Sequence, residues 1–229
     1  MDNHLSAAWC WMQRCSPNKI YNFIHIDRHY DLGSYINHKD LFQLENNPKI
    51  SYNEFTNLKR INDETPLFRW DNYIRAVHKL HPNWFHTNIF ITQKVGSKTD
   101  SWGLSNININ EVSLIDMEYT IAEYIKNAHE NSSVFEDEDY KWPWIVNIDI
   151  DVFYSKNEPH TQLISDDYIR SVAKQLKKCM SSIHVLTIAL SPDCLFGKHL
   201  NDKWHNAFHI LRIFADEIND LQEFPFPSF

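Results

Sequence analysis

The chain has 229 residues, a net charge of −8 and four glycines. This length suits one domain, whose core is large enough to fold without disulfides or a structural metal. The glycines are too far apart for the phosphate-binding turns of Rossmann or P-loop proteins. The negative charge argues against binding to nucleic acid, and no apolar run is long enough to span a membrane.

The ends of the chain and its cysteines bear on location and assembly. The first residues contain no cationic stretch followed by an apolar one, so they do not resemble a secretory signal. None of the four cysteines forms a C-x-x-C pair, which is typical of reduced thiols and predicts a cytoplasmic protein. No linker divides the chain, so residues 1–229 are expected to form a single domain. The proline-containing segment 224–227 suits a tail that either frays or docks on a second subunit, which leaves a homo-oligomer open.

Short apolar runs alternate with amphipathic helical patterns along the chain. The predicted strands are residues 21–27, 88–92, 144–151 and 184–190, and the predicted helices are residues 6–14, 70–80, 165–178 and 201–219. Near-continuous apolar strands are typical of parallel sheets that are covered on both faces. We therefore expect an α/β fold, a three-layer α/β/α sandwich with a mainly parallel sheet. In such folds, ligands bind beyond the carboxyl ends of the strands.

Two of the predicted strands end in residue types that bind metals. One ends in D-R-H-Y-D (27–31) and the other in D-I-D (149–151). Because residues two apart on a strand point the same way, each motif can aim a pair of side chains at one point. Either motif alone is typical of a turn, but together they favour a divalent cation that compensates the repelling carboxylates. An oxygen-rich set with imidazole suits manganese better than zinc. The predicted ligands are Asp27, His29, Asp31, Asp149 and Asp151.

The two motifs together resemble those of the arginase (ureohydrolase) family, in which four aspartates and two histidines hold two manganese ions. The resemblance implies an arginase/deacetylase-like sandwich, two Mn²⁺ per chain and a further histidine upstream. The candidates are His4 and His25; His4 has the family's position just before a helix, whereas His25 lies inside a strand. The implied ligands are His4, Asp27, Asp31 and Asp149 for one ion, and Asp27, His29, Asp149 and Asp151 for the other.

The chain departs from arginases in the residues that hold free arginine. Those enzymes follow D-x-H-x-D with an asparagine and a further segment that bind the α-carboxylate and α-amino group, whereas this chain has Gly33 at the asparagine position. Ala189 replaces the guanidinium-binding glutamate, and Tyr154 replaces an aspartate that follows D-x-D. The nearest acid, Asp193, is the expected guanidinium-binding residue, and His38 is the expected proton shuttle to the leaving amine.

These departures make the chain similar to the peptide arginases, which convert arginine to ornithine within ribosomally made precursor peptides. The motifs that carry this similarity are N-H (3–4), H-I-D-R-H-Y-D (25–31) and S-P-D-C (191–194). The implied reaction is metal-assisted hydrolysis of the guanidinium group with release of urea. The implied partner is an arginine-containing precursor peptide.

Three alternatives stay open. A small-molecule ureohydrolase would act on agmatine or another guanidino compound. A deacetylase shares the fold but uses one zinc held by Asp, His and Asp, which would leave Asp31 and His4 without a role. A non-catalytic metal- or peptide-binding module would keep the ligands without turnover.

Overall fold

A computed structural model describes residues 4–33, 36–45, 49–98, 107–125, 142–158, 161–195 and 202–218. Within these residues, five strands form one sheet in the order β3-β2-β1-β4-β5. The strands are β1 (Asn22–His29), β2 (Asn88–Val95), β3 (Asn110–Val112), β4 (Trp144–Asp149) and β5 (Ile183–Ala189). Each neighbouring pair of these strands is parallel, which confirms the predicted parallel sheet.

Helices connect the strands and cover the sheet. The α-helices are α1 (Leu5–Arg14), α2 (His38–Glu45), α3 (Tyr52–Thr56), α4 (Tyr73–Leu80), α5 (Met117–Thr120), α6 (Asp166–Lys178) and α7 (Asp202–Glu217). A π-helical turn (Ile121–Ile125) continues α5. Short 3₁₀ turns lie at Leu114–Asp116, Ile150–Phe153, Met180–Ser182 and Pro192–Cys194.

Both faces of the sheet are buried, as the apolar strands predict. On β1, Ile24 and Ile26 pack in one core with residues of α6 and α7, whereas Phe23 packs in a second core with residues of α1 and α4. Successive side chains of a strand point to opposite faces, so these two cores lie on opposite sides of the sheet. The α/β/α sandwich is confirmed.

Two helices show how local signals set the element boundaries. The Ser165 hydroxyl accepts a hydrogen bond from the backbone N–H of Tyr168, so α6 begins where the capping pattern predicts. Helix α4 begins at Tyr73, three residues later than predicted. The Asn72 side chain accepts from the backbone N–H of Arg69 and donates to the carbonyl of Leu67, which holds the preceding residues in a turn.

The strand order places a crevice at the centre of the sheet. From β1 the chain runs to β2 and β3 on one side, and then returns to β4 and β5 on the other. In open parallel sheets, the carboxyl ends of the two strands at such a reversal diverge and form a binding site. The ends of β1 and β4 are therefore the expected position of a ligand.

Two predictions from the sequence, on membrane crossing and on a second subunit, are compared with the described residues. Among these residues, no helix combines the length and hydrophobicity that crossing a bilayer requires. The segment 224–227, on which the expectation of a second subunit rests, lies outside them.

Candidate metal centre

A cluster of acidic and histidine side chains lies at the carboxyl edge of the sheet, and two of its aspartates lie on neighbouring strands. Ile26 of β1 lies opposite Ile148 of β4, so Asp27 and Asp149 come next to each other at the carboxyl edge of the sheet. Both are fully buried. Asp149 Oδ1 accepts a hydrogen bond from the backbone N–H of Asp151 at 3.0 Å, which starts the 3₁₀ turn and brings Asp151 to the same side.

His29 and Asp31 extend the cluster beyond β1. Asp27 Oδ1 accepts from the backbone N–H of His29 at 2.7 Å, at the point where the register against β2 shifts. The His29 ring nitrogen Nδ1 then lies 3.3 Å from Asp27 Oδ1 and 3.3 Å from Asp151 Oδ2. Asp31 follows with a φ of 51°, a left-handed conformation that turns the chain back.

His4 reaches the cluster from the start of α1. Its Nδ1 lies 3.0 Å from Asp31 Oδ2 and 3.4 Å from Asp27 Oδ2. Its Nε2 contacts Asp149 Oδ2 and the Ser191 hydroxyl. The structure therefore brings together all six residues that the sequence and the family resemblance indicate as ligands, although they come from three distant parts of the chain.

The donor atoms of this cluster are spaced as metal ligands are. Three groups have donor atoms within 4.8 Å of one another: His4–Asp27–Asp149, Asp27–His29–Asp151 and His25–Asp27–Asp31. Asp27 belongs to all three groups. Asp27 Oδ2, Asp31 Oδ1 and Asp151 Oδ2 are buried and have no hydrogen-bond partner among the residues that the structure describes. Because buried polar atoms are nearly always paired, these oxygens fit a cation that lies between them.

The electrostatics of the cluster favour added positive charge. Burial raises the pKa of Asp31 to about 7, and repulsion from Asp27 adds to this effect. Burial and repulsion from Asp151 likewise raise the pKa of Asp149 well above its usual value. Burial opposes protonation of His29, but the adjacent carboxylates of Asp151 and Asp27 outweigh this and raise its pKa to about 10. Protons thus neutralise part of the cluster, and a divalent cation would replace them.

A chain of hydrogen bonds beneath the cluster sets the orientation of His25. The Trp11 indole can only donate, and its Nε1 lies 3.2 Å from the Thr187 hydroxyl. That hydroxyl therefore gives its own proton to Asn147 Oδ1 at 2.8 Å. The amide nitrogen of Asn147 then donates to His25 Nδ1 at 3.1 Å and to the Tyr73 hydroxyl at 2.9 Å.

These hydrogen bonds place the His25 proton on Nε2, and the position of the proton determines whether His25 can bind a metal. Nε2 lies 3.2 Å from the carbonyl oxygen of His29 and 3.5 Å from Asp27 Oδ2. Burial lowers the pKa of His25 to about 4, so the ring is neutral near pH 7. A ring nitrogen that carries a proton offers no lone pair to a metal. His25 therefore orients Asp27 and His29, and His4 is the histidine that faces the cluster with both of its ring nitrogens.

Arg28 connects the turns that carry the cluster. Its side chain is buried, and its guanidinium donates to the carbonyls of Asp151 at 3.0 Å, Tyr154 at 3.3 Å and Cys194 at 3.2 Å. Its backbone N–H donates to Asp151 Oδ1 at 3.2 Å. Arg28 thus fixes the turns after β4 and β5 relative to the end of β1.

Ser191 supports the cluster from the end of β5. Its hydroxyl donates to Asp149 Oδ2 at 2.7 Å. Its φ is 38°, a left-handed conformation that costs a non-glycine residue about 1–2 kcal/mol. Strained backbone of this kind is concentrated at functional sites, where it positions a side chain.

The two residues that were predicted to act on the substrate, His38 and Asp193, are exposed and do not belong to the donor groups. His38 is exposed and is the first residue of α2. Asp193 lies in the 3₁₀ turn after β5, where its side chain is 84% exposed and pairs with Lys203 at 2.5 Å. Neither residue belongs to the three groups of metal-type donors. Their roles in catalysis and guanidinium binding stay predictions.

The sequence alone indicates no role for Arg28 or Tyr73, and Ser191 stands out in it only as part of the S-P-D-C motif. A signal for Arg28 exists, because strand alternation turns it away from Asp27 and His29 and a buried arginine needs several acceptors. No sequence signal identifies Ser191 as strained, since φ depends on how β5 meets the turn that follows.

Comparisons with known proteins give similarities in structure but none in sequence. No protein family and no curated protein matches the chain. A crystal structure of Helicobacter pylori arginase superposes with a TM-score of 0.49 and 12% sequence identity, over 95% of this chain and 70% of that one. A similarity of this size does not assign the chain to a family, so the donor groups of the cluster carry the functional inference.

Proposed function

We propose that this protein is a binuclear manganese hydrolase that converts arginine side chains of a peptide to ornithine and releases urea. The observation that carries the proposal is the position of Asp27, which is shared by the donor group that contains His4 and by the donor group that contains His29. A carboxylate shared in this way can bridge two ions. Asp149 lies beside it on the next strand and would be the second bridge.

The donor set supports two oxygen-preferring cations. Four aspartates and two histidines converge, and three of the aspartate oxygens lack a hydrogen-bond partner in the described part of the chain. Carboxylates with few imidazoles suit Mn²⁺ better than zinc, which prefers nitrogen and sulfur. When bound, such a metal pair lowers the pKa of a coordinated water towards neutrality and so supplies a nucleophile for hydrolysis.

The protein's own residues would hold the metals and the substrate. His4, Asp27, Asp31 and Asp149 would hold one ion, and Asp27, His29, Asp149 and Asp151 the other. We assign guanidinium binding to Asp193, which would exchange its ion pair with Lys203 for the guanidinium fork. We assign proton transfer to the leaving amine to His38.

The surroundings of Gly33 support a peptide rather than a free amino acid as the substrate. A Cβ atom on Gly33 would lie 2.6 Å from the backbone oxygen of Asp71, so no side chain fits where arginases have an asparagine. Each charge-assisted contact to a free carboxylate or ammonium contributes about 1.5–3 kcal/mol. Losing two such contacts would weaken the binding of free arginine by roughly two to four orders of magnitude. A peptide has neutral amides at these places.

The test combines a urea assay with elemental analysis. Urea release is measured from free arginine, agmatine and an arginine-containing peptide, with and without Mn²⁺. We expect two metal ions per chain and the highest kcat/KM for the peptide. A higher kcat/KM for free arginine or agmatine would establish a small-molecule ureohydrolase instead. One metal per chain would support the deacetylase alternative, and two metals without urea release would support a binding module.

A further inference from the structure

His29 is the most exposed of the six clustered side chains. The His29 side chain is 19% exposed, whereas those of His4 and the four aspartates are 0–7% exposed. A molecule that enters from solvent therefore meets His29 before any other member of the cluster. The residues around His29 line the entrance.

Trp70 lies at this entrance. The centroid of its ring is 6.2 Å from that of His29, and the two rings are nearly perpendicular, at 72°. Yet 54% of Trp70 is exposed, so a large part of the indole can contact a ligand.

The loop that carries Trp70 is held firmly in place. The backbone N–H of Gly33 donates to the carbonyl of Asp71 at 2.6 Å. Arg69 pairs with Asp71 at 2.9 Å, and the Asn72 side chain bonds to the backbone N–H of Arg69 at 2.8 Å. The absence of a side chain at Gly33 is what allows this loop to approach, since a Cβ there would collide with Asp71. The backbone that carries the indole is thus held in place, which reduces the entropy that binding costs.

We propose that Trp70 determines the substrate specificity of the site by packing its indole face against the guanidinium-bearing side chain that enters past His29. The inference rests on the proposed function, because it concerns the substrate of the same site. Tryptophan is the aromatic residue that attracts cations most strongly, and the planar guanidinium stacks on it.

The experiment measures binding and turnover of one small probe by three proteins. The probe is N-acetyl-arginine amide, which has no free carboxylate or ammonium, and its neutral counterpart is N-acetyl-citrulline amide. The proteins are the wild type, Trp70→Tyr and Trp70→Leu, all loaded with Mn²⁺. Binding is measured by calorimetry and turnover by urea release.

Trp70→Leu keeps apolar surface but removes the π face. We expect it to raise both the Kd and the KM of the arginine probe about 5- to 30-fold, with kcat within about twofold of the wild type. For Trp70→Tyr, the Kd and the KM of the arginine probe should lie between those of the wild type and those of Trp70→Leu. Binding of the citrulline probe should change less than twofold, because it carries no cation. Tyr119→Leu, at another exposed aromatic residue, is the matched control and should bind as the wild type does.

The outcomes separate this inference from the proposed function. If Trp70→Leu binds the arginine probe as tightly as the wild type, the inference is wrong, while urea release by the wild type still upholds the hydrolase. If the wild type binds the probe in a Trp70-dependent way but releases no urea, the inference stands and the hydrolase does not. If the wild type neither binds nor hydrolyses the probe, both fail. Because Trp70 is half exposed, we expect the variants to have the Tm of the wild type. Thermal unfolding that gives equal Tm values excludes a folding defect.

Discussion

Asp149 shows how a single buried carboxylate links the metal site to stability. It is fully buried, and its neighbours Asp151 and Asp27 raise its pKa together with burial itself. Such a group destabilises the metal-free protein, and only the binding of a cation offsets this destabilisation. The residue is therefore a sensitive probe of whether the cluster holds metal.

We expect Asp149→Asn to remove a bridging ligand and with it most of the Mn²⁺ binding. Urea release should fall by more than the roughly 10- to 100-fold that loss of an outer-sphere partner costs. The rise in Tm that Mn²⁺ gives the wild type should largely disappear, whereas the metal-free variant should be no less stable than the metal-free wild type. Thermal unfolding with and without Mn²⁺ checks this. Asp216→Asn, on the exposed side of α7, is the control; a wild-type metal content in Asp149→Asn would contradict the assignment.

Ser191 offers a test of strain, because two substitutions separate its hydroxyl from its backbone. Ser191→Ala removes the hydrogen bond to Asp149 and keeps the left-handed conformation, whereas Ser191→Gly removes both the hydrogen bond and the strain. We expect both variants to bind Mn²⁺ about 10-fold more weakly. In the metal-free state, Ser191→Gly should have a free energy of unfolding about 1 kcal/mol above that of Ser191→Ala. Denaturant unfolding that ranks the two the other way would show that the backbone is not strained.

At the scale of elements, one row of hydrogen bonds joins four of them below the metal centre. It runs from Trp11 on α1 through Thr187 on β5 and Asn147 on β4 to His25 on β1. The indole donates to the Thr187 hydroxyl, that hydroxyl donates to Asn147 Oδ1, and the Asn147 amide nitrogen donates to His25 Nδ1. The row therefore passes from the helical layer to the ligands and fixes which nitrogen of His25 carries the proton.

We expect Thr187→Val to break this row without changing the shape of the core. The Asn147 amide loses the partner that orients it, so the His25 tautomer is no longer fixed and Asp27 is held less well. Mn²⁺ affinity should fall about 10- to 100-fold, and the buried amide should cost about 1–3 kcal/mol of stability. Thr187→Ser keeps the hydroxyl and should restore metal affinity. Calorimetric Mn²⁺ titration of both variants checks this, and equal affinities would mean that the row does not act on the ligands.

Sequence patterns predicted those elements whose signals are local. Strands β1 and β4 and helix α6 follow from apolar runs and capping residues, and the strand ends led directly to Asp27 and Asp149. Strand β3 was missed because only three of its residues pair and its burial is partial. The predicted start of α4 at Trp70 was wrong because a side-chain contact of Asn72 outweighs the helical period. Convergence of His4 on the cluster depends on how α1 packs against β5, which periodicity does not report.

At the scale of the whole molecule, the strand order concentrates negative charge where the sheet reverses direction. Asp27, Asp149 and Asp151 meet between β1 and β4, in a chain whose net charge is already −8. Repulsion among these carboxylates opposes folding. The positive charge of Arg28 partly offsets this repulsion, because its backbone N–H donates to Asp151 Oδ1 and its side chain pairs with Asp151 Oδ2. Bound metal would join the two halves of the sheet at their boundary, so metal binding and global stability should be coupled.

We therefore expect removal of metal to lower the Tm of the whole chain, and the effect to grow with pH. A ligand must be deprotonated to bind metal, and the pKa of Asp31 lies at about 7 in the metal-free protein because of burial and Asp27. A carboxyl whose folded pKa is raised destabilises the metal-free protein progressively as pH rises from its ordinary value of 3.8 to about 7. Above that pH the same carboxylate is free to bind Mn²⁺ without first releasing a proton. The difference in Tm between Mn²⁺-loaded and chelator-treated protein should accordingly be larger at pH 8 than at pH 6. Differential scanning calorimetry at both values decides the matter: a difference that shrinks towards pH 8, or no difference at either pH, would mean that these carboxylates do not bind the metal.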